Sequence, residues 1–340
     1  MPTTIHASIE SWITNWLSSN GLSTQTSISL LLGDGSSRAF YRITTPQHHY
    51  ILVSDPQWTQ TQDYPQHQRY LKDLGLPVPL FYSSDPSKGF LLMQDLGDEL
   101  LQFRINKNPA ELHAWLSKAV KLLADLHGKT FPVPATLPVA QRSFDTNKYF
   151  SELEFTFEYL NQKLLNLPKM APSQLDEIKH FCAMISNLSP QVFSHRDYHC
   201  RNLMILNNEL VMIDFQDARM GSPHYDLASI LYDAYQPLSD ENRSELITIY
   251  KNHLAKYSVS DQVNWSTFNK DLKQVAFQRT LKAAGSFASF FIRFGKTTHW
   301  PYLIPALREA KKLQEGGFGV STEILDIEKS IALISQIKLQ

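Results

Sequence analysis

Residues 193–217 read FSHRDYHCRNLMILNNELVMIDFQD, and the rest of the chain is best read outward from them. His195-Arg196-Asp197 is followed after four residues by Asn202, and after eleven more by Asp214 in Ile213-Asp214-Phe215-Gln216. The intervening Leu203 to Ile213 is apolar on both sides of Asn207-Asn208. Two short apolar runs around an Asn-Asn pair predict a tight hairpin. Such a hairpin would bring Asn202 and Asp214 together.

The order H-R-D, N, D-F-x matches two signature elements of protein kinases, in which the first Asp is the base and the Asn and second Asp hold Mg²⁺. Moving a γ-phosphoryl group onto a hydroxyl demands positioning and charge neutralisation more than covalent chemistry. On this pattern Asp197 is the candidate base and Asn202 and Asp214 are the candidate metal ligands. The expected cofactors are ATP and Mg²⁺, because a carboxamide and a carboxylate supply the hard oxygens that Mg²⁺ prefers. His195 and Arg196 are expected to brace the loop. Asp217 is a candidate for a second Mg²⁺ or a substrate hydroxyl, with a helix cap or surface role as the ordinary alternative. A zinc site from His195, His199 and Cys200 is the rival reading. It lacks an H-E-x-x-H arrangement, and Cys182 and Cys200 lack C-x-x-C spacing.

Whole-chain properties narrow the class. At 340 residues the chain is long enough for two lobes and a sizeable core. Lys and Arg total 32 against 33 Asp and Glu, leaving no basic surplus for nucleic acid. Two cysteines without framework spacing fit a reducing compartment. The opening MPTTIHASIESW has neither a basic nor an apolar leader region, and no run reaches the ~18 apolar residues of a membrane span. A cytoplasmic enzyme with no membrane or nucleic-acid partner is expected; oligomeric state is not legible.

Periodicity divides the chain. Ile5 to Ser19 has helical spacing, and Ser27 to Leu32, Phe40 to Thr44 and Tyr50 to Ser54 read as strands, with the turn Gly33-Asp34-Gly35-Ser36-Ser37 between the first two. Tyr64 to Leu74 reads as a helix, and Leu80 to Ser83 and Phe90 to Gln94 as strands. Asp95-Leu96-Gly97-Asp98 breaks the pattern and marks the hinge. Beyond it, Leu112–His127, Tyr149–Leu165, Leu175–Leu188, Tyr225–Tyr235, Arg243–Lys256, Phe268–Phe294, Tyr302–Leu313 and Glu323–Ile337 read as helices. The expected class is α+β: a small β-rich N-lobe over residues 1–95 and a larger, mainly helical C-lobe over 96–340.

The motifs HRDYHCRNLM, IDFQDARMGSPHYDLA and LLMQDLG resemble those of the aminoglycoside phosphotransferase and choline kinase superfamily. That resemblance implies a protein-kinase-like two-lobe fold. It also implies a structural anchor at Asp226 for the catalytic region and backbone contacts from Gln94, Asp95 and Leu96 to adenine. Within the superfamily, GDGSSRAFYRI, IDFQDARMGSPHYDLASILYD and QRTLKAAGSFA resemble the bacterial anomeric kinases of N-acetylmuramate and N-acetylglucosamine. This implies a small-molecule amino-sugar substrate, a sugar 1-phosphate product and a place in peptidoglycan recycling. The alternatives are a kinase of another small alcohol, such as choline, homoserine or an aminoglycoside, or a catalytically silent nucleotide-binding regulator.

One departure from the pattern bears on phosphate binding. Protein kinases place a lysine on the third strand to hold the α- and β-phosphates, and Tyr50 to Ser54 contains none. Gly33 and Gly35 could let backbone amides approach phosphate, with Arg38 or Arg42 supplying the charge. On the acceptor side, residues 220–340 carry 14 Lys and Arg against 12 Asp and Glu, unlike the acidic surface a polycationic aminoglycoside would favour. Arg279, Lys282 or Arg293 could meet a substrate carboxylate, with simple solvation as the alternative. Phe287, Phe290, Phe291, Phe294, Trp300 and Tyr302 could line a sugar ring, although their spacing also suits core packing.

Overall fold

The computed structural model describes residues 2–31, 38–58 and 61–337. Its first part contains α1 (Pro2–Ser19), β1 (Ser27–Leu31), β2 (Ala39–Thr44), β3 (His49–Ser54), α2 (Tyr64–Asp73), β4 (Phe81–Asp85) and β5 (Phe90–Gln94). The five strands form one antiparallel sheet in the order β1-β2-β3-β5-β4.

Alternation gives the sheet two apolar faces. Tyr41 and Ile43, Tyr50 and Leu52, and Phe90 and Leu92 share one face, onto which α1 lays Ile9, Ile13 and Leu17. Spaced four apart, these three form a single helical stripe, and all are fully excluded from solvent. Each contributes up to about 1.5–3 kcal/mol of transfer free energy. Val53 and Leu91 point the other way and join the main core.

The remainder is mostly helical: α3 (Leu101–Lys107), α4 (Leu112–Lys129), α5 (Thr146–Thr156), α6 (Pro172–Ser186), α7 (Pro223–Leu231), α8 (Asp240–Leu254), α9 (Phe268–Phe294), α10 (Trp300–Glu315) and α11 (Ile327–Ile334). Four short strands interrupt it: β6 (Val192–Ser194), β7 (Leu203–Leu206), β8 (Glu209–Met212) and β9 (Arg219–Gly221), pairing as β6-β9 and β7-β8. The α+β architecture expected from periodicity is therefore observed. Among the described residues no helix is long and apolar enough to cross a membrane.

Several elements differ from the sequence expectation, among them α11, which is shorter than the Glu323–Ile337 read from spacing, and three of the differences have a clear local cause. The helix read as Tyr149–Leu165 runs as α5 and then as a π-helical segment over Phe157–Leu164, a change that apolar spacing does not report. Helix α7 begins at Pro223 and stops at Leu231 instead of reaching Tyr235. It stops because the Asp233 carboxylate accepts from the Cys200 and Tyr235 amides, at 3.0 and 2.9 Å, and so caps a turn rather than extending the helix. Helix α3, at seven residues, is too short for periodicity to declare itself.

The long α9 is the spine of the helical part and packs against α5, α7 and α10. It crosses the end of α5 so closely that a Cβ built on Gly285 would lie 2.3 Å from Thr156 Oγ1 and 2.6 Å from Thr156 Cα. Alanine ordinarily stabilises a helix by about 1 kcal/mol over glycine. Here the clash includes backbone, so the overpacking cost of about 1–3 kcal/mol should dominate. Gly285→Ala is expected to lower the urea midpoint of unfolding; an unchanged or higher midpoint would mean that α5 and α9 separate freely.

Candidate active site

The two short sheets frame one loop. In the β7-β8 hairpin, Asn207 and Asn208 have φ of 51° and 63°, the paired positive values that a type I′ turn needs and that Asn tolerates. The hairpin returns the chain so that the Ile213 amide donates to the Asn202 carbonyl at 3.1 Å. Asn202 and Asp214 are thereby brought together, as the sequence spacing predicts. Asp214 itself sits at φ 64° and Arg196 at φ 80°, left-handed conformations uncommon for such residues and concentrated at functional sites.

Beneath the loop lies Asp226, wholly buried on α7. Its carboxylate accepts from the amides of His195 at 2.6 Å and Arg196 at 2.9 Å. Consecutive amides flanking a left-handed residue make a concave anion site. His127 Nε2 lies 3.3 Å from the same carboxylate, and His127 Nδ1 lies 2.8 Å from the Tyr250 hydroxyl. Phe215 stacks on Tyr64 of α2, fixing the strand end against the N-terminal part of the chain.

Asp197 is held from both ends. Its carbonyl accepts from Asn202 Nδ2 at 2.9 Å and from the His199 amide at 3.0 Å. Its side-chain Oδ1 accepts from Lys282 Nζ at 2.6 Å, while Oδ2 lies 4.0 Å from Arg196 Nε. Burial opposes ionisation of Asp197, but the charges of Lys282, Arg196 and Arg279 hold its carboxyl well below the usual carboxylate range. Burial lowers the Lys282 ammonium from its ordinary value, against the pull of Asp197 and Glu152.

Lys282 and Arg279, three apart on α9, are not the solvated cations that the sequence alone suggests. Arg279 is buried and its Nε donates to Ser229 Oγ at 2.8 Å. Arg293 is exposed and lies over Phe294. Asp217 pairs with Arg196 at 3.2 Å, which ties it to the loop.

On the opposite side, Asp214 Oδ1 accepts from Gln216 Nε2 and from Arg38 Nη2, both at 2.9 Å. Burial would raise the Asp214 carboxyl, but Arg38 and Gln216 together hold the group below its ordinary value. Arg38 thus spans from the sheet to the candidate metal ligand. Arg42 does something else: its guanidinium is shared between Asp95, at 2.6 and 3.1 Å, and Asp98, at 2.8 and 3.1 Å. It is a clamp on the 95–98 segment. Gly33 and Gly35 lie outside the described residues. The Gln94 amide donates to Leu80 O and its Oε1 accepts from the Leu80 amide. Leu96 forms a small apolar cluster with Met204 and Val211, flanked by Leu100, Leu206 and Ile213.

A family model described as the phosphotransferase enzyme family matches residues 27–259. The chain belongs to the phosphotransferase enzyme family. It is 25% identical over 273 residues to an N-acetylmuramate/N-acetylglucosamine kinase of Pseudomonas putida, covering 79% of this chain and 78% of that one. In fold it is similar to a choline kinase from Cryptosporidium parvum Iowa II, at TM-score 0.62 and 13% identity, covering 96% and 99% of the two chains. It is also similar to an ADP-bound aminoglycoside phosphotransferase, at TM-score 0.58 and 14% identity, covering 86% and 95%. The expected protein-kinase-like fold is thus observed.

The loop of this phosphotransferase is also contacted by residues that local motifs do not announce. Glu152 of α5 is buried beside Lys148, Arg196 and Gln278. Burial pushes its carboxyl up, but Lys282, Lys148 and Arg196 keep it below its ordinary value. Arg142 donates to the Ala218 and Gln216 carbonyls and pairs with Asp63, clamping the segment after Asp214. Each comes from an element remote in sequence, so only the folded chain reveals it. The aromatic group is partly core: Tyr235 packs on Phe287 and Tyr302, and Phe291 on Trp300, while Phe294 is exposed.

Two buried histidines bear on the pH dependence of stability. His67 packs against Phe193, and burial lowers it to about 4; His224 packs on Phe268, and burial lowers it to about 3. The unfolded chain protonates such rings near pH 6.5 whereas the folded chain does not, so it is the unfolded state that gains protons on acidification. Their contribution is complete above about pH 6.5 and is lost as pH falls towards 4. Unfolding free energy is therefore expected to decline across that window, and His224→Gln should flatten the decline; an identical slope in a pH series of urea titrations would contradict it.

Proposed function

We propose that this phosphotransferase uses ATP and Mg²⁺ to phosphorylate the anomeric hydroxyl of N-acetylmuramate or N-acetylglucosamine. The reading rests on the Pseudomonas putida relative, which matches along most of both chains. The charge around Asp197 agrees with it. Lys282, Arg279 and Arg196 surround that carboxylate, a setting suited to a neutral or anionic acceptor and unsuited to a polycation. A carboxylate held so firmly ionised is a weak base. An anomeric hydroxyl, acidified by the neighbouring ring oxygen, asks less of its base than an ordinary alcohol does.

In this reading Asp197 orients the acceptor hydroxyl and takes its proton at Oδ2, the oxygen not bonded to Lys282. Asn202 and Asp214 would hold Mg²⁺. Both present hard oxygens, and because the Asn202 amide nitrogen is engaged with the Asp197 carbonyl, its oxygen is the atom for a cation. Among the described residues no group of three or more His, Cys, Asp or Glu could hold a metal, so an ion here would complete its shell with phosphate and water. When bound, Mg²⁺ supplies neutralisation of the phosphate charge. Asp217 is assigned to a substrate hydroxyl or a second ion at the mouth of the site.

Arg38 takes the part of the absent third-strand lysine, its guanidinium exchanging Asp214 for phosphate oxygens. Gly33 and Gly35 would add backbone amides. Adenine would meet the backbone of residues 94–96 over the apolar floor of Leu96, Met204 and Val211. The same reading makes residues 1–95 the nucleotide lobe and 96–340 the acceptor lobe, with the Arg42 clamp at the join. The setting is the cytoplasm and the recycling of cell-wall amino sugars.

A choline-type acceptor would need an aromatic cage open to a quaternary ammonium. Near His199 the aromatic Tyr235 already carries the Arg201 guanidinium 4.7 Å from its ring centre, which disfavours that acceptor.

ADP release with ATP and Mg²⁺ should be seen with N-acetylmuramate or N-acetylglucosamine and not with choline, homoserine or kanamycin, and ³¹P NMR should identify a sugar 1-phosphate. A phosphate monoester at any other position, or turnover only with another acceptor, would reject the substrate assignment. Arg38→Ala should raise KM for ATP about tenfold or more, matching the ~1.5–3 kcal/mol of a charge-assisted contact, with KM for the sugar little changed. An unchanged KM for ATP would remove Arg38 from the phosphate site.

A further inference from the structure

The sequence offered Lys282 as a surface cation or a partner for a substrate carboxylate, and the geometry points to a different role. We propose that Lys282 is a positioning residue for phosphoryl transfer: by binding Oδ1 of Asp197 it fixes the carboxylate so that Oδ2 faces the acceptor hydroxyl. The inference rests on the reading of Asp197 as the base.

Three observations support it. First, the contact is short and specific, with Nζ 2.6 Å from Oδ1, and the lysine side chain is 13% exposed. Bringing an ammonium out of water costs several kcal/mol, so a chain that seeks only stability does well with an apolar side chain there.

Second, the rest of Asp197 is already immobilised. Asn202 and His199 hold its carbonyl, and the amide of the preceding Arg196 is held by Asp226. The remaining freedom is rotation of the carboxylate, and Lys282 is the group that stops it. Arg196 is too distant from Oδ2, at 4.0 Å, to fix it by a hydrogen bond.

Third, Lys282 arrives from a rigid support. It lies in the middle of the 27-residue α9, one turn before Gly285, where that helix meets α5. The charged groups around the pair come from every side: Arg279 from α9, Arg196 and His199 from the catalytic loop, and Glu152 from α5. With Lys282 present, Asp197 and Glu152 face Lys282, Arg196 and Arg279. Without it, no donor among the described residues holds the Oδ1 side of Asp197, and a carboxylate that turns even slightly loses its line to the acceptor. Misplacement of a reacting group by about 1 Å can cost about 100-fold in rate.

The test is a double-mutant cycle on the full chain with ATP, Mg²⁺ and N-acetylglucosamine, combined with ATP titration and thermal unfolding. Lys282→Met is expected to lower kcat about 100-fold while ATP affinity stays within about twofold of the parent. Lys282→Arg, which keeps a cation in reach, should recover at least tenfold of that loss. So should Lys282→Cys after aminoethylation, which rebuilds an ammonium of similar reach; these two variants keep the test alive if Lys282→Met does not fold. In an Asp197→Asn background, Lys282→Met should cause no further loss, because there is no base left to position. Additive losses, or a kcat unchanged by Lys282→Met, would overturn the proposal while leaving the base assignment standing. Wild-type turnover by Asp197→Asn would overturn both. A crystal structure of Lys282→Met should find the Asp197 carboxylate rotated, and an unmoved side chain would count against the positioning role.

Discussion

The buried carboxylate of Asp226 is the constraint on which the site depends. A charge taken fully out of water is tolerated only where its acceptor positions are met. Here two consecutive loop amides and the His127 ring meet them. The carboxylate therefore dictates the turn of the backbone at Arg196, including its left-handed φ of 80°. That turn sends the next residue, Asp197, towards Lys282. Through His127 and Tyr250 the same anchor ties α7 to α4 and α8, so the loop is braced by the helical core and not by its own hydrogen bonds alone.

Around this anchor, acids and bases meet in pairs, two of them drawn from distant parts of the chain. Asp197 pairs with Lys282 of α9, Asp214 with Arg38 near the start of β2, and Asp217 with Arg196. For Asp197 and Asp214 burial opposes ionisation, and the paired cations act against it. The pairs also span the fold. Arg38 connects the sheet to the β8 end, and Arg42 connects β2 to Asp95 and Asp98. A family member without a lysine on its third strand thus still presents a guanidinium at the place where nucleotide phosphates are proposed to lie.

Much of this was legible in the linear chain, for identifiable reasons. The Asn207-Asn208 turn was readable because Asn is among the few residues that accept consecutive positive φ, and apolar runs flank it. The α1 stripe of Ile9, Ile13 and Leu17 was readable from its spacing. The end of α7 was not, because Tyr232 to Tyr235 are apolar enough to extend a helix, and only Asp233 reaching the Cys200 amide stops it. Nor was Arg42, which sits beside Arg38 in sequence as a plausible phosphate ligand until the fold brings two carboxylates to it.

What the sequence by itself determined is the chemistry available: an Asp, an Asn and a second Asp at fixed offsets, joined by a hairpin whose turn geometry follows from local backbone preference. Those are short-range properties, set by residues a few positions apart. What only the tertiary structure decided is the electrostatic setting of that chemistry. Lys282 lies 85 positions from Asp197 and Arg38 lies 176 from Asp214. Nothing in a linear chain states which of many cations will be buried against which carboxylate, because that depends on how α9 and the sheet pack. Burial then makes the pairing count, since in a poorly hydrated site a nearby opposite charge governs both the ionisation of a carboxylate and the direction in which it points.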